Sequence, residues 1–245
     1  MAATTITIFR RELKSYFNSP VAYVFLIVFL ILTNFLTFMV GKYYENGQSD
    51  LRSFFFWLPW VYLILVPAAA MRLWAEERHS GTIELLLTLP ITLTQAIVGK
   101  FMAAWVFLAL ALGFTFPIVL TTAYLGSPDI GVIIGGYLGS FLLAGCYLSI
   151  GVLTSAMTRN QVISFVLAVV ISMFLLLAGW APVIDILAKW APAWLVNTVA
   201  AFSFMPYFDA IQRGVIDLRN LVFFASMIVF MLGATYLVLE NRKSS

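Results

Sequence analysis

The stretch Glu76-Glu77-Arg78-His79-Ser80-Gly81-Thr82-Ile83-Glu84-Leu85-Leu86-Leu87-Thr88-Leu89-Pro90 starts charged, turns amphipathic and ends on a proline. Long apolar runs lie on both sides of it. A run of about 20 apolar residues crosses the hydrocarbon core as a helix, so this contrast decides the fold. The flanks belong in lipid and the segment does not. The chain has 245 residues, 62% hydrophobic and 10% charged. Soluble domains run at roughly 45–50% and roughly 25%. A soluble fold of this length cannot hide so much apolar surface. The chain therefore reads as an all-α integral membrane protein.

Working outward, two spans precede the segment, at about 21–40 and 54–71. Four follow, at about 101–125, 130–157, 162–179 and 221–239. That makes six transmembrane helices in a single domain over 1–245, and the fourth is long enough to tilt or to project from the lipid. Arg10, Arg11, Lys14, Arg72, Arg78, Lys100, Arg159, Arg242 and Lys243 fall on one side of this arrangement. Lys42, Arg52, Lys189, Arg213 and Arg219 fall on the other, three of them in one long segment. Short loops rich in Lys and Arg stay inside, so both termini are expected in the cytoplasm.

The first apolar run is too long for the core of a signal peptide, and no A-x-A-like site follows it. Before it, Ile6, Phe9, Leu13, Tyr16 and Phe17 share a helical face while Arg10, Arg11, Glu12 and Lys14 supply charge. This predicts an interfacial helix over 1–19, with Pro20 at the bend into the first span. On the opposite side, 180–220 holds Pro182, Pro192 and Pro206. Its apolar piece 193–205 is too short to cross and predicts short re-entrant or interfacial helices. Asp185 and Lys189 are spaced to pair on one of them. Residues 207–216 are amphipathic, with Phe208, Ile211, Val215 and Ile216 apolar. Trp57, Trp60, Trp180, Trp190 and Trp194 fit an aromatic belt at the outer surface.

Several chemistries are missing. No phosphate-binding loop occurs, because Gly99-Lys100 is followed by Phe101 and lacks the upstream glycine. The single histidine, His79, and single cysteine, Cys146, exclude a multi-histidine site and an internal disulfide. No catalytic residues, no metal site and no bound cofactor are expected. The net charge of +3 fits the inside bias of the basic residues and not nucleic-acid binding. No Asp, Glu, Lys or Arg lies deep in a span so drawn, which weakens an ion-coupled transporter. An intramembrane enzyme would need an acid, base or nucleophile at that depth. Gly131, Gly135 and Gly139 form a double G-x-x-x-G, a place for close helix approach within the chain or between copies. Pro59, Pro67 and Pro117 permit kinks. In the segment itself, Ser80 or Thr82 is placed to cap a helix from about Ile83, with Glu84 in its first turn and Pro90 as its stop.

The pattern Glu-Glu-Arg-x-Ser-Gly-Thr-x-Glu-Leu-Leu-Leu-Thr-x-Pro resembles the cytoplasmic motif of ABC-2 type transporter permeases. Phe-Arg-Arg-Glu-Leu-Lys-Ser-Tyr-Phe-Asn-Ser-Pro at 9–20 resembles the start of such permeases. Phe208-x4-Arg213-Gly214-Val215-Ile216-Asp217-x-Arg219, just after Pro206, resembles the gliding-motility-associated branch, with the nitrous-oxide-reductase maturation permease as a relative. The resemblance implies that 72–100 carries the coupling helix, with Glu76, Glu77, Arg78, Ser80, Gly81, Thr82, Glu84, Leu85 and Pro90 meeting an ABC ATPase. It implies a half-transporter: two permease copies or paralogues with two ATPase subunits in a bacterial inner membrane, ATP and Mg being held by the ATPase. Gliding-type relatives often add a membrane protein with a large periplasmic domain. Two functions fit: an ATP-driven export permease, or a mechanical or assembly component that passes ATPase motion to a periplasmic partner.

Overall fold

The structure, a computed structural model, describes residues 2–45, 50–82 and 91–241. The expected coupling helix, with Glu84, Leu85 and Pro90, lies outside the described residues. Among the described residues all regular structure is helical. In chain order the helices are α1 (Ala2–Asn18), α2 (Pro20–Phe35), α3 (Arg52–Ala70), α4 (Arg72–His79), α5 (Leu93–Gly113), α6 (Phe116–Leu125), α7 (Ile130–Met157), α8 (Gln161–Leu177), α9 (Ala181–Leu187), α10 (Ala193–Ala201), α11 (Met205–Gln212) and α12 (Leu218–Asn241). Helix α2 continues as a π turn over Leu36–Val40, closed by the Gly41 N–H on the Leu36 carbonyl at 2.7 Å.

Five continuous or nearly continuous helical stretches are long and apolar enough to cross a membrane: Pro20–Val40, Arg52–His79, Leu93–Leu125, Ile130–Met157 and Leu218–Asn241. The fifth expected span, 162–179, is a bent pair, α8 with α9, broken by 76°. Alone, α8 is about 25 Å long at 1.5 Å per residue, short of a hydrocarbon core of about 30 Å. The bend sits ahead of Pro182, whose ring starts a new helix more readily than it continues an old one. Pro117 acts in the same way, in the first turn of α6 after a break at Phe114–Thr115. Pro59 and Pro67 lie inside α3, which runs through both and ends just after Pro67, at Ala70.

The middle of the bundle is α7, which packs on α3, α4, α5, α8, α11 and α12. Its sequence explains this. Small residues stud the helix, and they admit neighbouring backbones that Leu or Phe would hold off. A Cβ at Gly136 would sit 2.3 Å from the Phe55 ring, and one at Gly151 would sit 2.4 Å from the Ala70 Cβ. Within the expected glycine repeat, a Cβ at Gly135 would come 2.7 Å from the Ile211 carbonyl, and at Gly139 3.0 Å from Ile211 Cγ2. Both therefore receive α11 of the same chain. Gly131 departs from the repeat, because its N–H caps the helix on Asp129 Oδ1 at 2.8 Å and no other element approaches it. The outer helices α2 and α12 read differently. They are rich in Ile, Leu, Val and Phe and leave many of those side chains exposed, as lipid-facing helices do.

The outer region contains three short helices, α9, α10 and α11. Helix α9 ends at Leu187, so Lys189 falls beyond it, and no ion pair with Asp185 forms among the described residues. The apolar face expected over 207–216 is shorter. Phe208 and Ile211 are buried in α11, whereas Val215 and Ile216 are exposed beyond its end. The reason is a turn at Gly214, where φ is +85°. The Gly214 N–H bonds the Ile211 carbonyl at 2.9 Å and the Val215 N–H bonds the Ala210 carbonyl at 3.1 Å, a Schellman closure. Asp217 then caps α12 through the Arg219 N–H at 3.1 Å. The Arg213-Gly214-x-x-Asp217-x-Arg219 motif is thus a helix stop joined to a helix start.

A substitution at Gly151 tests the central packing. Gly151→Leu should lower stability by about 1–3 kcal/mol, because the meeting atoms belong to Ala70 and cannot swing away. Gly233→Ala, where nothing lies within 4 Å, should leave it unchanged or raised. Thermal unfolding of both variants in the same detergent reads the difference. Gly214→Ala should cost about 1–2 kcal/mol, the penalty of the left-handed conformation for a residue with a Cβ.

Candidate functional site

The N-terminal face is the first component. Helix α1 packs along α5 and leads into α2 through Ser19, whose hydroxyl accepts the Val21 N–H at 3.3 Å. Pro20 then occupies the first turn of α2, as expected. The face that meets α5 differs from the sequence expectation at one position, because Ile6 is exposed and Ile8 packs instead. Gly99 makes this possible: a Cβ there would lie 2.8 Å from Ile8 Cγ2. Tyr16 stacks on Phe107 with ring centroids 4.9 Å apart, and burial pushes its phenol well above the ordinary tyrosine range. Arg10, Arg11 and Lys14 are exposed, whereas Glu12 turns inward.

The second component is α4. The charged residues Glu76, Glu77 and Arg78 stand on this helix, which carries the second span onward past Met71. Its start has no side-chain cap of its own. Ser155 of α7 supplies one: its hydroxyl accepts the Trp74 and Ala75 N–H groups, each at 3.0 Å, and donates to the Met71 carbonyl at 2.8 Å. Arg78 donates from Nη1 to the Ala156 carbonyl at 2.5 Å, also on α7. At its other end, Ser80 Oγ donates to the Glu76 carbonyl at 2.9 Å and lies 2.9 Å from Thr82 Oγ1. These two hydroxyls finish α4. Gly81 has a φ of +73° at this turn.

The third component is the beginning of α5, closed by a capping box. Thr92 Oγ1 accepts the Gln95 N–H at 3.3 Å and Gln95 Oε1 accepts the Thr92 N–H at 3.0 Å. Thr92-Leu93-Thr94-Gln95 carries that signal in plain sequence, and it moves the start of the third helix upstream of the expected 101. Lys100 therefore lies inside the helix and not before it, with its side chain 3% exposed. This corrects the sequence reading, which drew the third span from 101 and left Lys100 outside it.

Lys100 joins the three components. Its Nζ lies 2.8 Å from Glu77 Oε1 on α4 and 3.3 Å from Glu12 Oε1 on α1, and 5.3 Å from the centre of the Trp74 ring. A buried ammonium is tolerable only with such partners. Glu77 and Lys100, which precede and follow 83–90 in the sequence, meet at this point. Beside this point a cleft of about 780 Å³ opens between α1–α2 and α3–α4. No group of three or more His, Cys, Asp or Glu suited to a metal occurs among the described residues.

The motif residues 206–219 lie on α11, at the start of α12 and in the turn between them. Pro206 starts α11 and Phe208 is buried against Gly139. Burial pushes the Asp209 carboxyl above its usual range and Arg213 partly offsets that, while Gln212 donates to Asp209 at 2.6 Å. Arg213, Gly214, Asp217 and Arg219 make the joint described above. The structure gives them a folding role and no contact with the Lys100 cluster.

The helices long and apolar enough to cross a membrane define a multi-pass membrane protein. The chain belongs to the ABC-2 transporter family: residues 6–243 match the family described as ABC-2 family transporter protein. The match is to that family at large and does not single out a gliding-motility or nitrous-oxide-reductase branch. No curated protein matches the chain. Membership implies an ABC ATPase as partner.

Removing the shared cation tests the cluster. Lys100→Met should destabilise the protein by about 3–5 kcal/mol, since Glu12 and Glu77 lose their buried counter-charge. Adding Glu12→Gln and Glu77→Gln should restore most of that loss. Unfolding temperatures of the single and triple variants in one detergent provide the comparison.

Proposed function

We propose that the chain is the membrane-spanning half of an ATP-driven exporter, with hydrolysis carried out by a separate ATPase that holds ATP and Mg. The observation that carries this reading is the Lys100 cluster, which joins α5 to α1 and α4, the helices that precede and follow 83–90 in the chain being α4 and α5. A force applied to 83–90 reaches three helices at once through it. Ser155 and Arg78 pass it to α7, the central helix. Glu76, Glu77, Arg78, Ser80, Gly81, Thr82, Glu84, Leu85 and Pro90 form the coupling region in this reading. The basic residues at the α1 end support an arrangement in which that end, and both termini, face the cytoplasm of a bacterial inner-membrane protein. Two copies or a paralogous pair, with two ATPases, complete the transporter.

The alternative is a mechanical or assembly role, in which the same motion reaches a partner with a periplasmic domain and no substrate moves. The residues 206–219 that resemble the gliding-type branch favour it, as do the exposed Trp190, just before α10, and Trp194, in its first turn.

Native co-purification of the tagged chain decides the coupling claim. An ABC ATPase is expected in equal amount with the chain, and Glu84→Arg with Leu85→Asp should abolish it. An unchanged association, with unchanged ATPase activity of the complex, would defeat the assignment of 83–90. Flux assays in vesicles holding every subunit separate the two roles, since intact ATP turnover without flux favours the mechanical one.

A further inference from the structure

The cleft beside the Lys100 cluster has an uneven lining. At one end stand Arg11, Glu12, Arg72, Glu76, Glu77 and Lys100. Toward the span its walls are apolar, with Val24 and Val28 of α2 facing Leu65, Ala68 and Ala69 of α3. Three cations and three carboxylates at the polar end cancel, so the cleft holds no net charge to draw a simple anion or cation. Most of these charges are already matched. Glu12 and Glu77 lie on Lys100, and Arg11 lies 3.1 Å from Glu12. Arg72 and Glu76 remain. They stand one turn apart on the same face of α4, a spacing at which opposite charges commonly pair. Neither makes an ion pair or a side-chain hydrogen bond among the described residues. Glu77 Oε2 also lines this region, buried without a hydrogen-bond partner.

We infer that the cleft holds one zwitterionic phospholipid with a primary ammonium headgroup, its phosphate on Arg72, its ammonium on Glu76 and Glu77, and its first acyl carbons between α2 and α3. The guanidinium suits a phosphate geometrically. The two carboxylates suit an ammonium with three N–H donors, and one of them already has an unused buried oxygen. Phosphate and ammonium lie a few ångströms apart in such a headgroup, which suits side chains whose Cβ atoms are about 5–6 Å apart. An anionic lipid without the amine would face Glu76 with its own negative charge. A trimethylated amine would bring charge but no N–H donor for Glu77 Oε2. The volume falls within the range of about 300–1,000 Å³ of small-ligand sites. The inference rests on the membrane setting and not on ATPase coupling, so its failure leaves the coupling reading untouched.

The test uses the full chain, with any co-purifying ATPase left in place, reconstituted in nanodiscs of equal phosphatidylethanolamine, phosphatidylglycerol and phosphatidylcholine. After extraction into mild detergent, native mass spectrometry counts the lipids that stay. The unmodified protein should retain the ethanolamine lipid over each of the others by about fivefold. Arg72→Gln with Glu76→Gln should erase that preference while the unfolding temperature of the chain holds, whether or not the ATPase stays bound. Equal retention of the three lipids by the unmodified protein overturns the inference, whatever the variant does. So does a disulfide between Ala69→Cys residues of two copies in every lipid composition, since a second copy would then fill the cleft.

Discussion

A single ammonium has to be neutralised inside a mostly apolar structure, and the arrangement of one whole end follows from that. Lys100 sits inside α5, where its long side chain cannot reach water. Its charge is balanced only if α1 brings Glu12 and α4 brings Glu77. Leaving either carboxylate behind would cost several times what an exposed ion pair is worth. The interfacial helix therefore has to lie along α5, and the end of the second span has to turn toward it. The cleft between α1–α2 and α3–α4 is the space left over once those two demands are met.

The second organising feature is steric. In lipid there is little hydrophobic gain in pressing one apolar helix on another, so close backbone contact carries the packing. Helix α7 concentrates glycine, alanine and serine at its contacts, and α3 and α11 come nearest where it does so. Ser155 adds a polar function to the same helix, capping α4 from outside. One helix thus positions the central packing and the start of the charged extension. Motion delivered to α4 has a short path to the middle of the bundle.

The helical class and the approximate spans were legible because their signals are local. Apolar runs of the right length, Pro20 after Ser19 and the glycine of the outer motif all act within a few residues. The capping box at Thr92–Gln95 was equally local, and reading it would have placed Lys100 inside a helix. The partners of Lys100 were a different matter. Glu12 lies 88 positions away along the chain, and nothing in the periodicity of α1 marks Glu12 as the charge that turns inward. The same holds for Ser155, a small hydroxyl on a helix full of small residues. Its role appears only when α4 arrives beside it.

By itself the sequence determined that the chain is a helical membrane protein, where it is charged, and which family it belongs to. The first two follow from composition and short-range spacing, which lipid makes unusually strict, and the family from the motifs at 9–20 and 76–90 and the match over residues 6–243. The tertiary structure alone decided which charges meet, which glycines are contact points and which is merely part of a cap, and that the fifth span is a helix bent by 76°. Each of these depends on how distant segments pack. Packing is settled by contacts across the bundle, where the order of residues along the chain carries no direct information.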